Sequence, residues 1–114
     1  MKNEYLQNLV KELKKVSATQ KSKVWRAVAE ELQRPSRQMR VVNISKINRY
    51  ANEGDTVVVP GKVLGSGELT KKVTVIAYQF SKQAQDKISQ SGKLLSIEEA
   101  LKNGIKNKGI KIIG

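Results

Sequence analysis

The sequence predicts an α/β domain. Three observations carry that reading. Apolar and β-branched runs at Val41–Ile44, Val57–Leu64, Val73–Phe80 and Ile110–Ile113 have strand character. Stretches with apolar residues at helical spacing alternate with them. Glycines and one of the two prolines fall inside or at the edges of the apolar runs, where a turn or a close backbone approach needs them. With 114 residues and 39% hydrophobic content, the chain fits one domain over residues 1–114. Residues 1–40 form a basic helical N-terminal part and residues 41–114 the α/β core.

Residues 4–16 predict a first helix, with Leu6, Leu9, Val10, Leu13 and Val16 on one face and Asn3 as N-cap. Lys11, Lys14 and Lys15 fall on the other side, where a solvated face is the simpler reading than RNA contact. Residues 17–23 read as a polar break. A second helix runs from about Ser22 to Gln33, with Val24, Trp25, Val28, Ala29 and Leu32 as its stripe. The only tryptophan sits in that stripe and reads as a core anchor, not as a base-stacking platform. Pro35 ends the helix by pushing Arg34 out of the α region. The loop 34–40 carries Arg34, Arg37 and Arg40, whose planar forks suit phosphate.

Val41–Ile44 predicts a strand, and Ser45 caps a short helix over Lys46–Ala51 that places Lys46 and Arg49 on one face. The stretch Val57–Ser81 is the centre of the chain. It reads as a hairpin-like element, stopping at Pro60-Gly61 and turning through Gly65-Ser66-Gly67, with a flexible edge that bears Lys62, Lys71 and Lys72. In the run Val73–Phe80 both faces are mostly apolar, which places the strand in the sheet interior. Ser81 caps a helix carrying Ala84 and Ile88, closed by Gly92 at C′. Leu94-Leu95 is a short strand. Ser96-Ile97-Glu98-Glu99 is a capping box, which gives both glutamates a structural reason. That helix ends at Asn103-Gly104, and Ile110–Ile113 is the last strand.

The charge balance bears on function. Lys and Arg number 22 against 10 Asp and Glu, a net charge of +12 that attracts polyanions. Residues 41–80 are the least charged third, so the core belongs there, with basic flanks. Cys and His are both absent, which removes disulfides, thiol nucleophiles, a His general base and most metal sites. The N-terminus has no secretory pattern and no apolar run is long enough to span a bilayer, which fits a cytosolic protein without a membrane partner. Gly61 to Gly67 is no P-loop, because Glu68-Leu69 and a strand follow where Lys-Ser/Thr and a helix are required. No nucleophile, base and orienting group assemble. The expectation is a binding protein with no catalytic residues, no cofactor, no metal and no small-molecule substrate. Aromatics make up 4%, too few for a stacking surface of the RRM or OB kind, so recognition falls to phosphates and folded RNA shape.

Val42–Ala51, followed by Gly54–Leu69, resembles the archaeal and eukaryotic large-subunit ribosomal protein family called L-eighteen-e, itself similar to bacterial large-subunit protein fifteen. The pattern continues through Lys71-Lys72-Val73-Thr74-Val75, Ala77, Phe80-Ser81, Ala84 and Ile88. It is specific from Val41 to Gly92 and looser over residues 1–33. Ser91-Gly92-Lys93 departs from it, since many relatives carry paired glycines there. The resemblance implies an irregular ββα-type superhelical single domain with two N-terminal helices. It also implies a structural constituent of the large ribosomal subunit, in the cytoplasm. The implied partners are large-subunit rRNA and neighbouring large-subunit ribosomal proteins. Implied RNA-binding positions are Arg34, Arg37, Arg40, Lys46, Arg49, Lys62, Lys71 and Lys72. The residues alone leave two other classes open: a free RNA chaperone or regulatory RNA-binding protein, and a binder of acidic protein surfaces.

Overall fold

The structure, a computed structural model, describes residues 4–20, 23–33, 40–102 and 110–113. Helices α1 (Glu4–Gln20) and α2 (Lys23–Leu32) come first, then β1 (Arg40–Asn43), α3 (Ile44–Tyr50), β2 (Thr56–Leu64), β3 (Thr74–Phe80), α4 (Lys82–Ser91), β4 (Lys93–Ser96), α5 (Ile97–Lys102) and β5 (Ile110–Ile112). The class is α/β, as the sequence predicts. The end expected at Asn103-Gly104 for the helix that starts at Ile97, and the loop expected to carry Arg34 and Arg37, lie outside the described residues.

The sheet runs β1-β2-β3-β4, and β5 also pairs with β2. Every pairing is parallel. This corrects the hairpin-like reading of Val57–Ser81. β2 and β3 lie side by side with Thr56 opposite Thr74, so the chain leaving Leu64 must return to the far end of the sheet before β3 begins. β2 also does not stop at Pro60-Gly61. It passes through them with a register shift between Val59 and Lys62, a bulge at the residue that cannot donate to the ladder. Gly61 is required there: a Cβ would run into the Arg40 carbonyl of β1. β1 pairs with residues 61–64 of β2 and β5 with residues 56–58.

Strand alternation sorts the apolar residues onto two faces. Val57, Val59, Val63, Val75 and Ala77 point to one, where Ile44 and Ile47 of α3 and Ala84 and Ile88 of α4 cover them. Val58 and Ile76 point to the other, against Leu9 and Leu13 of α1, Trp25, Val28 and Leu32 of α2, and Ile97 and Ala100 of α5. The result is three layers, helix on sheet on helix. Trp25 is fully buried between the N-terminal helices and the sheet, as the core reading expects.

Helix ends show where local sequence decides. Ser81 accepts from the Ala84 amide at 3.1 Å. Ser96 and Glu99 form the reciprocal capping box, Glu99 N–H to Ser96 Oγ at 3.0 Å and Ser96 N–H to Glu99 Oε1 at 3.2 Å. Other expectations are revised. α1 continues into the expected polar break as far as Gln20, because the Ser17 and Thr19 hydroxyls donate back to the Lys14 and Lys15 carbonyls and satisfy themselves on the helix. α3 begins at Ile44, so Asn43 and not Ser45 is the capping position, and Asn43 makes no side-chain cap. Gly92 ends α4 with φ −153° and ψ −149°, not in the left-handed conformation. It is needed because a Cβ would strike the Val73 carbonyl.

Two predictions follow from this packing. Ile76→Ala opens a cavity between sheet and helices and should cost about 2–5 kcal/mol, whereas Ile112→Ala, at a residue 42% exposed, should cost less than about 1 kcal/mol; chemical denaturation of the two variants measures both. The second concerns Asp55, which accepts from the Asn52 amide and pairs with Lys111 of β5 at 2.9 Å. The amide bond first, and then Lys111, holds its carboxyl below the ordinary aspartate range. A depressed folded-state pKa contributes stability that is present above the unfolded value, about 3.9, and lost as pH falls through the folded one. Asp55→Asn should therefore flatten the acid side of the melting-temperature profile below about pH 4 and leave its shape at neutral pH unchanged.

Candidate nucleic-acid interface

Residues 65–73 connect β2 to β3 and decide where the basic side chains go. The connection covers the length of β2, roughly 25 Å at about 3.3 Å per residue. Ten steps of chain reach at most about 35 Å, while a helix rises only about 1.5 Å per residue. The segment must therefore be extended, and it runs across α3 and α4 without a helix of its own. An extended segment outside a sheet leaves amides and carbonyls to be satisfied, and side chains supply most of the partners. The Ser66 amide donates to Asn43 Oδ1 at 3.3 Å and the Thr70 amide to Asn48 Oδ1 at 3.0 Å. The Lys72 amide donates to Glu53 Oε2 at 3.1 Å. Lys87 of α4 donates to the Gly65 and Gly67 carbonyls at 2.9 and 2.8 Å, and Ser91 donates to the Leu69 carbonyl at 3.2 Å.

The glycines serve this path. Gly67 has φ +92°, a conformation that favours glycine, and a Cβ there would press on Ser45. Gly65 has the α4 backbone against it, with the Ala84 amide 2.8 Å from where a Cβ would stand. The reading of these glycines as turn and close-approach positions holds. The edge expected to be flexible is instead tied down along its length.

Lys71 is the tightest tie. Its ammonium donates to the Asn48 and Ala51 carbonyls, both at 2.7 Å, at the C-terminal end of α3 where carbonyls lack intrahelical partners and cations are favoured. Arg40 is likewise engaged: its fork donates to both carboxylate oxygens of Glu31 on α2, at 2.9 and 3.4 Å, and that carboxylate raises the guanidinium pKa. By contrast Lys46, Arg49 and Lys72 are exposed and Lys62 is half-buried, and no carboxylate or carbonyl among the described residues binds their charged ends. Nothing in the sequence singles out Lys87; only its position opposite two glycine carbonyls reveals it.

Lys62, Lys71 and Lys72, expected on one edge, lie at different ends of the sheet. Lys62 sits toward the carboxyl end of β2, between Val41 and Gln79 across the sheet; Arg40, the first residue of β1, lies beside Gly61 of β2, and Lys46 follows the carboxyl end of β1 on α3. Lys71 and Lys72 sit at the opposite end, beside the start of β3. Arg49 lies on α3, which runs between the two ends. Arg34 and Arg37 fall outside the described residues. No cluster of three or more acidic side chains among the described residues could hold a metal ion, and no described helix is long and apolar enough to cross a membrane.

Fold and site together define a cationic α/β domain whose free charges lie on α3, on the connection before β3 and on β2 itself. Residues 5–94 match the family model of ribosomal proteins 50S-L15, 50S-L18e and 60S-L27A, so the chain belongs to that family, which is one of ribosomal proteins and not of enzymes. Large ribosomal subunit protein eL18 of Methanoregula boonei is 45% identical over 112 residues, 97% of this chain and 93% of that protein. The eL18 protein of Haloarcula marismortui is 45% identical over 97% of this chain and 96% of its own. That of Sulfurisphaera tokodaii is 47% identical over 92% and 90%. The match extends over the N-terminal helices, where the sequence resemblance is looser.

The geometry separates two adjacent lysines. Lys71→Met should lower stability by about 1.5–3 kcal/mol, the range for hydrogen bonds involving a charged group. Lys72→Met should change it by no more than about 0.5 kcal/mol. Denaturant titrations of the two single variants, side by side, measure the difference.

Proposed function

We propose that this chain is a structural constituent of the large ribosomal subunit, acting in the cytoplasm, and that it binds and stabilises folded large-subunit rRNA. The observation that carries the reading is a set of cations the fold does not use. On a chain of net charge +12, Lys46, Arg49, Lys62 and Lys72 display charge on a scaffold whose other lysines and arginines are partly spent on internal contacts. Relatives named as large ribosomal subunit proteins, nearly half identical over nearly the whole chain, support the same role.

In this reading Lys46, Arg49, Lys62 and Lys72, with Arg34 and Arg37 of the stretch before β1, contact phosphates and 2′-hydroxyls of a preformed RNA shape. Arg40 and Lys71 act at one remove. Arg40 ties β1 to α2, and Lys71 fixes α3, so the free cations are presented at set positions. Neighbouring large-subunit proteins complete the surroundings.

Affinity for large-subunit rRNA should fall steeply with salt, with a log–log slope of about −0.7 to −0.9 for each phosphate neutralised. Lys46→Ala combined with Lys62→Ala should make that slope shallower by about two such units and leave the melting temperature nearly unchanged. An affinity independent of salt would refute the proposal. In cell lysate the protein should sediment with large subunits after a high-salt wash; recovery only in light fractions would point to a free RNA chaperone.

A further inference from the structure

The chain has five aromatic residues, one Trp, three Tyr and one Phe, and the fold accounts for four. Trp25 is buried in the layer of α1, α2 and α5. Phe80 packs against the opposite cluster. Tyr5 and Tyr78 stack with ring centroids 6.2 Å apart, and the Tyr5 hydroxyl donates to Glu98 at 2.9 Å. Tyr50 is left. It is 56% exposed, and among the described residues it has neither a ring partner nor a hydrogen-bond partner.

Its position is specific. α3 buries Ile44 and Ile47 on one side, so residues at spacing i, i+3 and i+4 on the other side, Lys46, Arg49 and Tyr50, share the outward face. An exposed ring is thus flanked by two cations that nothing else in the described fold engages. The backbone under it is fixed. The Lys71 ammonium holds the Asn48 and Ala51 carbonyls, the residues on either side of Arg49-Tyr50, and the Ala51 amide donates to the Ile47 carbonyl at 2.9 Å. A ring presented on an immobilised turn loses little freedom on binding.

We propose that Tyr50, flanked by Lys46 and Arg49 and held by the Lys71 clamp, stacks on an unpaired base of the bound RNA. This rests on the rRNA-binding reading above and adds to it that the RNA offers a splayed-out base at this face. Bases outside a helix are recognised by stacking on aromatic rings, and phosphates on either side of such a base would meet the two cations. An apolar protein partner would not favour an aromatic ring between two unneutralised charges, whose desolvation it would have to offset.

The test uses the full chain and deproteinised archaeal large-subunit rRNA, with affinity measured across a salt series. Tyr50→Ala should weaken binding about 5- to 150-fold, the range for one base–aromatic stack, and leave the salt slope unchanged. Lys46→Ala should make the slope shallower by about one phosphate's worth. Tyr50→Phe should bind as the parent does, because the ring face and not the hydroxyl is the contact. Circular dichroism melts of the three variants should coincide with the parent, since both side chains are exposed. If the parent binds with the expected slope and Tyr50→Ala binds equally well, the stacking proposal is wrong while the rRNA reading stands. Loss of subunit incorporation by Tyr50→Ala, with rRNA affinity intact, would likewise overturn it and assign the ring to a protein neighbour. A parent protein with no salt-dependent rRNA affinity would sink the underlying reading itself.

Discussion

Parallel pairing of β2 with β3 is the constraint from which the rest of the structure follows. A parallel partner requires the chain to travel the length of the sheet between strands, and that trip normally takes a dozen or more residues and a helix. Here residues 65–73 make it. So few residues reach only if extended, and an extended segment outside the sheet has no ladder to satisfy its backbone. Asn43, Asn48, Glu53, Lys87 and Ser91 stand in for that ladder, each giving or receiving a hydrogen bond from the crossing chain. Gly65 and Gly67 allow it to pass close over α4 and Ser45. A longer connection would remove the need for all of these residues at once.

The same constraint divides the positive charge into two populations. Lys71 and Lys87 serve the crossing and its surroundings, and their ammonium groups point at carbonyls of the protein. Lys46, Arg49 and Lys72 stay exposed at its margins. Self-repulsion in a chain of +12 disfavours the compact state. Lysines that neutralise helix-end and loop carbonyls relieve part of that cost, because each places its charge against partial negative charge. The cations that remain exposed are the ones whose compensation must come from outside the chain.

Much of the fold was legible. Strand and helix types, the interior position of β3, the Ser81 cap, the Ser96–Glu99 capping box and the burial of Trp25 each follow from interactions between residues close in sequence, where spacing fixes geometry. What was not legible depends on partners far along the chain. Val57–Leu64 and Val73–Phe80 look the same whether they pair antiparallel or parallel, and Gly65-Ser66-Gly67 suits a hairpin turn as well as the start of a crossing. The α1 extension through Ser17 was hidden because a serine hydroxyl bonded to its own helix reads, in sequence, as a loop residue. Gly92 was assigned the right place and the wrong reason: its freedom is used for closeness to Val73, not for a left-handed backbone.

The candidate site was legible to the extent that a lysine's chemical type is its function, and that extent is limited. Lys71 and Lys72 are adjacent, identical and equally basic in sequence. Yet one caps α3 from within and the other faces solvent. Nothing local distinguishes them, because the carbonyls that Lys71 binds lie 23 and 20 positions earlier. The aromatic count misled in the complementary way. A total of 4% argues correctly against a broad stacking sheet. It does not bear on a single ring, whose meaning depends on whether the core absorbs it. Once the fold gives the other four aromatics partners within the protein, Tyr50 becomes informative because among the described residues it has none, and the clamp that took Lys71 out of the free-charge population is the same one that holds the turn beneath the ring.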